Sequence, residues 1–238
     1  VFFQNSNNSV RVTDAFMQAV DKGESWSTRA VTNGEVMDTI DARGLMNQIA
    51  EATWACGDPG MQFDTTVNDW HPCINTERIN ASNPCSEYMF LDDTACNLAS
   101  LNLMKFRDDD GNIVIDRFLQ AVRTTITAQE NLIDRAGYPP QAIEQNSIDY
   151  RPLGLGYANL GAMLMAKGLP YDSEEGRNFA STVTSLMHGE AYAQSARIAE
   201  LRGSFSGYRR NEKPMLRVIA KHKKANSVIP KLGVPDGM

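Results

Sequence analysis

Long hydrophobic runs are missing from this sequence of 238 residues, and cysteine and histidine are scarce. No stretch approaches the ~18 consecutive apolar residues that a membrane-spanning helix needs. The first residues also lack the basic start and apolar centre of a signal peptide. Four cysteines are too few for a disulfide scaffold in a chain of this length, so any pair that forms is expected to be catalytic. We therefore expect a soluble, cytoplasmic protein.

The composition is typical of a folded globular protein, with 42% hydrophobic and 22% charged residues. Basic residues are concentrated near the end: residues 201–238 hold nine Lys or Arg and two Asp or Glu, against 14 and 27 before them. A nucleic-acid patch and the solvated face of a helix both fit this pattern. We favour the helix face, with Met215, Leu216, Val218 and Ile219 pointing inward, because only Tyr208 interleaves with the charges. We expect neither a nucleic-acid nor a membrane partner.

Strand-like and helix-like segments alternate along the chain. Strands are predicted within residues 8–14, 61–67 and 95–106, a short strand turning into a helix within residues 151–168, and a hairpin around Asn33-Gly34. Helices are predicted after a cap at Thr13 or Asp14, at 42–56, at 116–136 and at 173–201, the last opened by a capping box from Asp172 to Glu175. The 95–106 strand is apolar on both faces, which predicts an interior position. This alternation is typical of an α/β architecture with a mainly parallel sheet or a barrel.

The ends of the sequence predict a fragment. The chain begins with Val1-Phe2-Phe3, already running toward a strand, and it finishes in turn-forming residues without a closing helix. We therefore expect its domain to continue on both sides. The length by itself suits one large α/β domain or two small ones.

A long polar stretch from Asn68 to Ser86 leads into the segment NPCSE, residues 83–87. Structureless loops of this length tend to be functional. Pro84 disfavours helix at Asn83, so we expect an extended segment in which Asn83, Cys85 and Glu87 point the same way, ~6.6 Å apart. A thiol flanked by an amide and a carboxylate suits a hydroxyl-bearing substrate. Cys96 is near enough in sequence to reach the same pocket, and two thiols together can deliver two electrons.

Other roles for the cysteines remain open at this point. Free cysteine is among the most buried residue types, and Cys56, at the end of an amphipathic helix, is most simply a core residue. His71, Cys73, Cys85 and Cys96 could be considered as zinc ligands. The sequence has no C-x-x-C pair, however, and the intervals of 17, 12 and 11 residues between successive cysteines match no common zinc spacing. We therefore predict no metal site.

Five blocks of sequence, in this order, resemble a known enzyme family: NSNNSVRVTDAFM, GDPGMQFDTT, NPCSE, ACNLASLNL and RPLGLGYANLGAML. They are similar to the catalytic barrel of ribonucleotide reductases, and most closely to the adenosylcobalamin-dependent class II enzymes. The resemblance implies a ten-stranded α/β barrel of the thiyl-radical type, with residues 1–238 as its central portion. A finger loop would carry Cys85 into the sheltered centre of that barrel.

The resemblance also implies roles for individual residues. Cys85 would become a thiyl radical that takes the 3′ hydrogen of the ribonucleotide, and Glu87 would accept the 3′-hydroxyl proton. Asn83, Glu87 and Ser82 would bind the substrate. Cys96 would be one thiol of the reducing pair, whose partner lies upstream of residue 1. The implied cofactor is adenosylcobalamin, although no histidine has the context of a cobalt ligand, and the implied reductant is a thioredoxin or glutaredoxin.

Further expectations follow from the same resemblance. The 238 residues alone are expected to reduce no nucleotide. A homodimer of the full-length enzyme is compatible with the resemblance and is not decided by the sequence. Gly154, Gly156 and Gly161 depart from a dinucleotide fingerprint and are read as close packing between a strand and its helix. The alternatives are the large subunit of a class I reductase, which receives its radical from a second subunit, a non-catalytic domain with core cysteines, and a zinc module.

Overall fold

Strands and helices alternate along the chain in a computed structural model that describes residues 5–235 and 238. The fold is α/β, as predicted, and it divides into two units between Phe90 and Leu91. Within the described residues, six strands form three two-stranded sheets and no closed barrel. The ten strands implied by the resemblance are therefore not found among residues 5–235 and 238.

In the first unit, residues 5–90 form three helices and two strand pairs. Its elements are β1 (Ser9–Val12), α1 (Asp14–Lys22), β2 (Ser25–Arg29), β3 (Val36–Asp41), α2 (Ala42–Cys56), β4 (Gly60–Phe63) and α3 (Asp64–Asp69). Strands β1 and β4 pair in parallel, whereas β2 and β3 form the predicted antiparallel hairpin. An irregular stretch follows α3 and reaches the second unit.

Local sequence explains most of these boundaries. The Thr13 hydroxyl accepts a hydrogen bond from the Phe16 amide and so caps α1, as predicted. Gly57, at φ 83°, ends α2 in the left-handed conformation that glycine adopts without strain. Phe16 is 2% exposed and packs edge-on against Trp26, with the ring centroids 5.4 Å apart. This aromatic pair joins α1 to the hairpin.

The predicted strand at residues 61–67 is correct only as far as Phe63. Residues from Asp64 onward form α3 because an acidic side chain in the first turn favours a helix N-terminus. The Asn68 side chain also donates to the Asp64 carbonyl oxygen at 3.1 Å. A short polar run after an apolar strand is thus folded back into a helical turn.

The second unit is mainly helical. Its elements are β5 (Asn97–Asn102), a 3-10 helix (Leu103–Phe106), α4 (Ile115–Ile133), α5 (Gln141–Tyr150), β6 (Leu153–Ala158), α6 (Leu160–Ala166), α7 (Glu174–Arg202), α8 (Tyr208–Asn226) and α9 (Ile229–Leu232). Strands β5 and β6 pair in parallel over six residues each. The predicted strand-to-helix passage after residue 151 is confirmed, whereas α5 had no prediction.

A single apolar core supports the second unit. Phe118 and Val122 of α4, Met163 of α6, and Phe179 and Val183 of α7 are at most 1% exposed and belong to one cluster. Burying each such side chain contributes about 1.5–3 kcal/mol. The long helices α4 and α7 are therefore fixed against the β5–β6 pair.

Three details of the second unit differ from the predictions. β5 alternates between half-buried and exposed residues, with Leu98 64% exposed, so within this chain it is covered on one face only. The cap of α7 is Ser173, whose hydroxyl accepts from the Gly176 amide, and not Asp172. Helix α8 buries Val218 but leaves Leu216 exposed, because its inward face runs through Asn211 and Pro214 instead.

Among residues 5–235 and 238, every helix is too short or too polar to cross a lipid bilayer.

Candidate functional site

The segment NPCSE forms a tight turn. The Ser86 amide donates to the Asn83 carbonyl oxygen at 3.0 Å, which closes a β-turn with Pro84 and Cys85 at its centre. Asparagine and proline are favoured at the first two positions of such turns. The expectation of an extended segment is therefore wrong, since proline's restriction of the preceding residue is equally satisfied by a turn.

The turn changes the placement of the predicted trio. Cys85 and Glu87 are exposed, whereas Asn83 and Ser82 are half-buried. The Asn83 side-chain oxygen accepts a hydrogen bond from the Tyr88 amide at 3.0 Å, so this residue also fixes the chain that leaves the turn. The expected sheltered interior for Cys85 is not found in this chain, because the described residues do not close a barrel around the turn.

Two residues that sequence reasoning missed lie beneath this turn. Arg11 of β1 and Gln62 of β4 are direct partners in the parallel register. The Arg11 guanidinium donates to Gln62 Oε1 through Nε at 3.2 Å and Nη2 at 2.9 Å. The signal in the sequence was a long polar side chain in the middle of each of two short apolar strands. Such a residue is buried with partners or has a function.

Gln62 connects the strand pair to the turn. Its Nε2 donates to Ser82 Oγ at 2.6 Å and to Ser86 Oγ at 2.9 Å. The Ser82 hydroxyl lies 2.8 Å from the Asn83 carbonyl oxygen, to which it donates. The residues on either side of Asn83-Pro84-Cys85 are thus tied to one side-chain amide of β4.

A cleft of about 280 Å³ opens beside these residues. It is lined by residues of β1, β4 and the loop, among them Arg11, Gln62, Ser82 and Asn83. This volume is near the lower end of the range for small-molecule sites, about 300–1,000 Å³. Cys85 and Glu87 are not part of the described lining, so of the predicted substrate-binding residues the cleft holds Asn83 and Ser82 and not Glu87.

The irregular stretch that carries the turn has its own small buried core. His71 and Cys73 are at most 2% exposed, and Ile79 is 1% exposed. The Cys73 amide donates to His71 Nδ1 at 3.4 Å, and His71 Nε2 lies 3.0 Å from the Glu77 carbonyl oxygen. Burial lowers the pKa of His71 and raises the pKa of the Cys73 thiol to about 12. Cys73 is therefore an inert packing residue.

Cys56 differs from its prediction. It was expected in the core, but it is exposed at the end of α2, with its sulfur 3.3 Å from the Ala52 carbonyl oxygen. The last turns of α2 lie outside the apolar cluster of the first unit, which includes Ala42. Helical periodicity gave the correct helix but could not show how far along it the buried face extends.

Cys96 lies in the second unit, directly before β5, and is half-buried. A Cβ atom on Gly154 of β6 would stand 2.7 Å from the Cys96 sulfur and 2.5 Å from Leu98 Cδ2. The glycine is therefore needed where two strands meet, and not where a strand meets its helix as predicted. Gly161 has no atom within 4 Å of such a Cβ.

Helices α4 and α5 hold the chain around Cys96. Gln129 Nε2 donates to the carbonyl oxygens of Asn97 at 2.7 Å and Gly154 at 2.8 Å, on the two strands that flank the sulfur. The Ser147 hydroxyl of α5 accepts from the Ala95 amide at 3.0 Å. Gln129 and Ser147 are at most 2% exposed, so these bonds are shielded from water.

Over residues 5–235 and 238, no group of three or more His, Cys, Asp or Glu side chains is arranged to hold a metal ion. His188 and His222 lie together, with ring centroids 4.3 Å apart, and burial lowers the pKa of each. The fully buried His71 uses its ring for the backbone contacts described above.

Comparison with known proteins identifies the fold family. Residues 1–231 match the family model described as "Ribonucleotide reductase, barrel domain". The chain is 54% identical over 227 residues to the vitamin B12-dependent ribonucleotide reductase of Rhodopirellula baltica, covering 94% of this chain and 22% of that protein. It is 51% identical over 232 residues to the enzyme of the same name from Streptomyces avermitilis, covering 96% and 24%.

A more distant relative has a more specific name. The vitamin B12-dependent ribonucleoside-diphosphate reductase of Mycobacterium tuberculosis is 34% identical over 202 residues, which is 85% of this chain and 29% of that protein. The chain thus spans less than a third of the length of each of these three relatives. Because the family model covers nearly the whole sequence, the chain belongs to the ribonucleotide reductase barrel-domain family.

Proposed function

We propose that this chain is part of the catalytic barrel of an adenosylcobalamin-dependent ribonucleotide reductase, in which Cys85 is the radical-carrying thiol. The observation that carries the proposal is the family match together with an exposed cysteine at the tip of a turn, beside a cleft. The whole-protein fold would be the ten-stranded barrel. Segments of the relatives beyond the matched part would then provide the cover that Cys85 lacks here.

The chemistry assigns a step to each predicted residue. The Cys85 thiyl radical takes the 3′ hydrogen of the ribose, and Glu87 accepts the proton of the 3′-hydroxyl group. Asn83 and Ser82, which line the cleft, bind ribose hydroxyl groups. The protonated 2′-hydroxyl group leaves as water, and Cys85 returns the hydrogen to the 3′ carbon at the end.

Two electrons and two protons are needed to replace the lost hydroxyl group. We propose that Cys96 and a second thiol supply them and close into a disulfide, so that one ribonucleotide and two thiols give one deoxyribonucleotide, water and a disulfide. A thioredoxin or glutaredoxin would then reduce the disulfide. The half-buried position of the Cys96 sulfur above Gly154 supports this role, since the sulfur is held in place without being sealed from its partner.

The cofactor places few demands on this chain. When bound, adenosylcobalamin supplies the radical through cleavage of its cobalt–carbon bond. Among the described histidines, the ring of His71 would not hold the cofactor because it contacts backbone groups, and His188 stacks on His222. What fits the cofactor is the accessible thiol of Cys85, because a radical from outside the turn must reach its sulfur.

The class I large subunit remains the second candidate function. The three relatives are each named as vitamin B12-dependent enzymes, which favours the class II assignment. A non-catalytic domain whose cysteines are core residues is disfavoured for Cys85, which is exposed, although Cys73 has that character. We further propose that the full-length enzyme works in the cytoplasm as a homodimer.

The proposal is tested with one variant, Cys85→Ser, and with an assay of the wild-type protein from which adenosylcobalamin is omitted. In the full-length reductase, meaning a complete reductase polypeptide that includes this chain, Cys85→Ser should abolish deoxyribonucleotide formation without lowering the melting temperature. Cys85→Ser replaces only the sulfur atom and leaves the backbone hydrogen bond of the turn in place, so a stable but inactive variant separates catalysis from packing. Activity of the wild-type protein should require adenosylcobalamin. Product formation by Cys85→Ser would contradict the assignment, and activity without the cofactor would favour class I.

A further inference from the structure

The orientation of the Gln62 side chain is fixed by chemistry. The Arg11 guanidinium has only donors, so the amide group of Gln62 must turn its oxygen toward Arg11 and its NH2 group toward Ser82 and Ser86. The reverse orientation would place donors against donors. Gln62 is 6% exposed, so water cannot replace these bonds freely.

Arg11 is itself held in place from two further sides. Its Nη1 donates to Asp64 Oδ1 at 3.2 Å and to the Ile79 carbonyl oxygen at 2.9 Å. Asp64 also pairs with Arg78 at 2.5 Å. A guanidinium fixed by a carboxylate, an amide and a backbone oxygen is a rigid support, because its planar fork cannot rotate without breaking several bonds.

The turn that carries Cys85 includes a residue with an unfavourable backbone conformation. Ser86 has φ 64°, a left-handed conformation that is uncommon for residues other than glycine. Such a conformation persists when surrounding contacts over-determine it. Here the Ser86 hydroxyl accepts from Gln62, and the Ser86 amide bonds to Asn83 across the turn. The bond to Gln62 thus helps to hold the residue directly after Cys85.

We propose that Gln62, oriented by Arg11, is a positioning residue that holds the Cys85 turn in its reactive geometry. This inference rests on the proposed role of Cys85. Gln62 does not touch the reacting atoms. It acts through Ser82, three residues before Cys85, and Ser86, the residue directly after it. Transfer of a hydrogen atom from the 3′ carbon depends steeply on the distance to the sulfur, so a displaced turn slows that step more than it weakens substrate binding.

The test compares variants of the cofactor-loaded, full-length reductase. Gln62→Met keeps the length of the side chain and removes its one amide group, and with it the acceptor for Arg11 and the donors to Ser82 and Ser86. We expect kcat to fall about 100-fold, with a much smaller change in KM, and the isotope effect for a 3′-deuterated ribonucleotide to increase because hydrogen transfer becomes rate-limiting. Gln48→Met, the same change on an exposed face of α2, is the matched control and should alter neither quantity.

A second variant keeps the inference testable even if Gln62→Met folds poorly. Ser86→Ala removes one of the two hydroxyl groups that Gln62 binds, while alanine faces the same backbone demand as serine at this φ. We expect a smaller fall in kcat and a smaller rise in the isotope effect. Because both residues act through one network, the double variant should be no slower than Gln62→Met alone.

The outcomes separate this inference from the assignment of Cys85. Inactive Cys85→Ser combined with normal kcat and a normal isotope effect in Gln62→Met and Ser86→Ala would overturn the positioning role and leave the proposed function intact. Activity in Cys85→Ser would overturn both. A lower melting temperature with an unchanged isotope effect would show that Gln62 serves stability alone, which also contradicts the inference.

Discussion

Gly154→Ala is expected to displace the Cys96 sulfur. The new Cβ would stand 2.7 Å from the sulfur and 2.5 Å from Leu98 Cδ2. Heavy atoms in contact prefer separations of about 3.5–4.0 Å, so the sulfur must move by roughly 1 Å. Leu98 is 64% exposed and can rotate away, whereas Cys96 is half-buried against the strands. The strain therefore falls mainly on the cysteine.

The cost can be worked out from two opposing effects. Overpacking costs about 1–3 kcal/mol, while replacing glycine with alanine stiffens the unfolded chain and returns about 0.4–1 kcal/mol. The free energy of unfolding should therefore fall by about 1–2 kcal/mol, measured by urea denaturation. In the full-length reductase, turnover-dependent oxidation of Cys96, followed by mass spectrometry of alkylated peptides, should also slow.

Gly156→Ala is the matched control on the same strand. Its Cβ would meet Ser100 Oγ at 3.6 Å, an ordinary contact, and neither glycine has a positive φ. This variant should be as stable as the parent or slightly more stable. If Gly154→Ala and Gly156→Ala behaved alike in stability and in Cys96 oxidation, the close approach at Gly154 would not have the importance assigned to it.

Two further predictions concern the helical unit. Arg151 donates to the Glu130 and Asp134 carboxylates at 2.6 and 2.7 Å, and Arg151→Met should cost about 2 kcal/mol of unfolding free energy in urea denaturation, between the values for exposed and buried pairs. Arg177→Met removes a fully solvated pair and should cost less than about 0.5 kcal/mol; equal costs would refute the argument. Burial holds the pKa of His188 below its ordinary 6.5, so the unfolded chain binds the proton more readily and stability is lost as pH falls below 6.5. Thermal melts at pH 7.5 and 5.5 should show a smaller loss for His188→Asn than for the parent, and an identical loss would contradict this contribution.

Local signals in the sequence predicted the parts of the fold that local chemistry determines. The helix Ala42–Cys56 was predicted to the residue, because apolar periodicity marks its length and Gly57 ends it. The hairpin around Asn33-Gly34 also appears, although its loop is longer than two residues. Both features depend on neighbours in sequence and hardly at all on distant contacts.

The candidate site depended on contacts that no local pattern shows. Asn83, Cys85 and Glu87 were identified from their residue types, but the extended segment expected to carry them is a turn at Pro84. Arg11 and Gln62 are 51 residues apart in sequence and become neighbours only through the register of β1 and β4. A single sequence offers no signal for that pairing.

The parallel strand pairs also affect how this polypeptide associates with other strands. Within the described residues, β1 and β4 pair only with each other, as do β5 and β6, so each pair presents two outer edges with backbone donors and acceptors that face no strand. Edges of this kind recruit further strands from any available source, which makes them a route to aggregation as well as to correct assembly. The state of this chain therefore depends on which strand reaches those edges first.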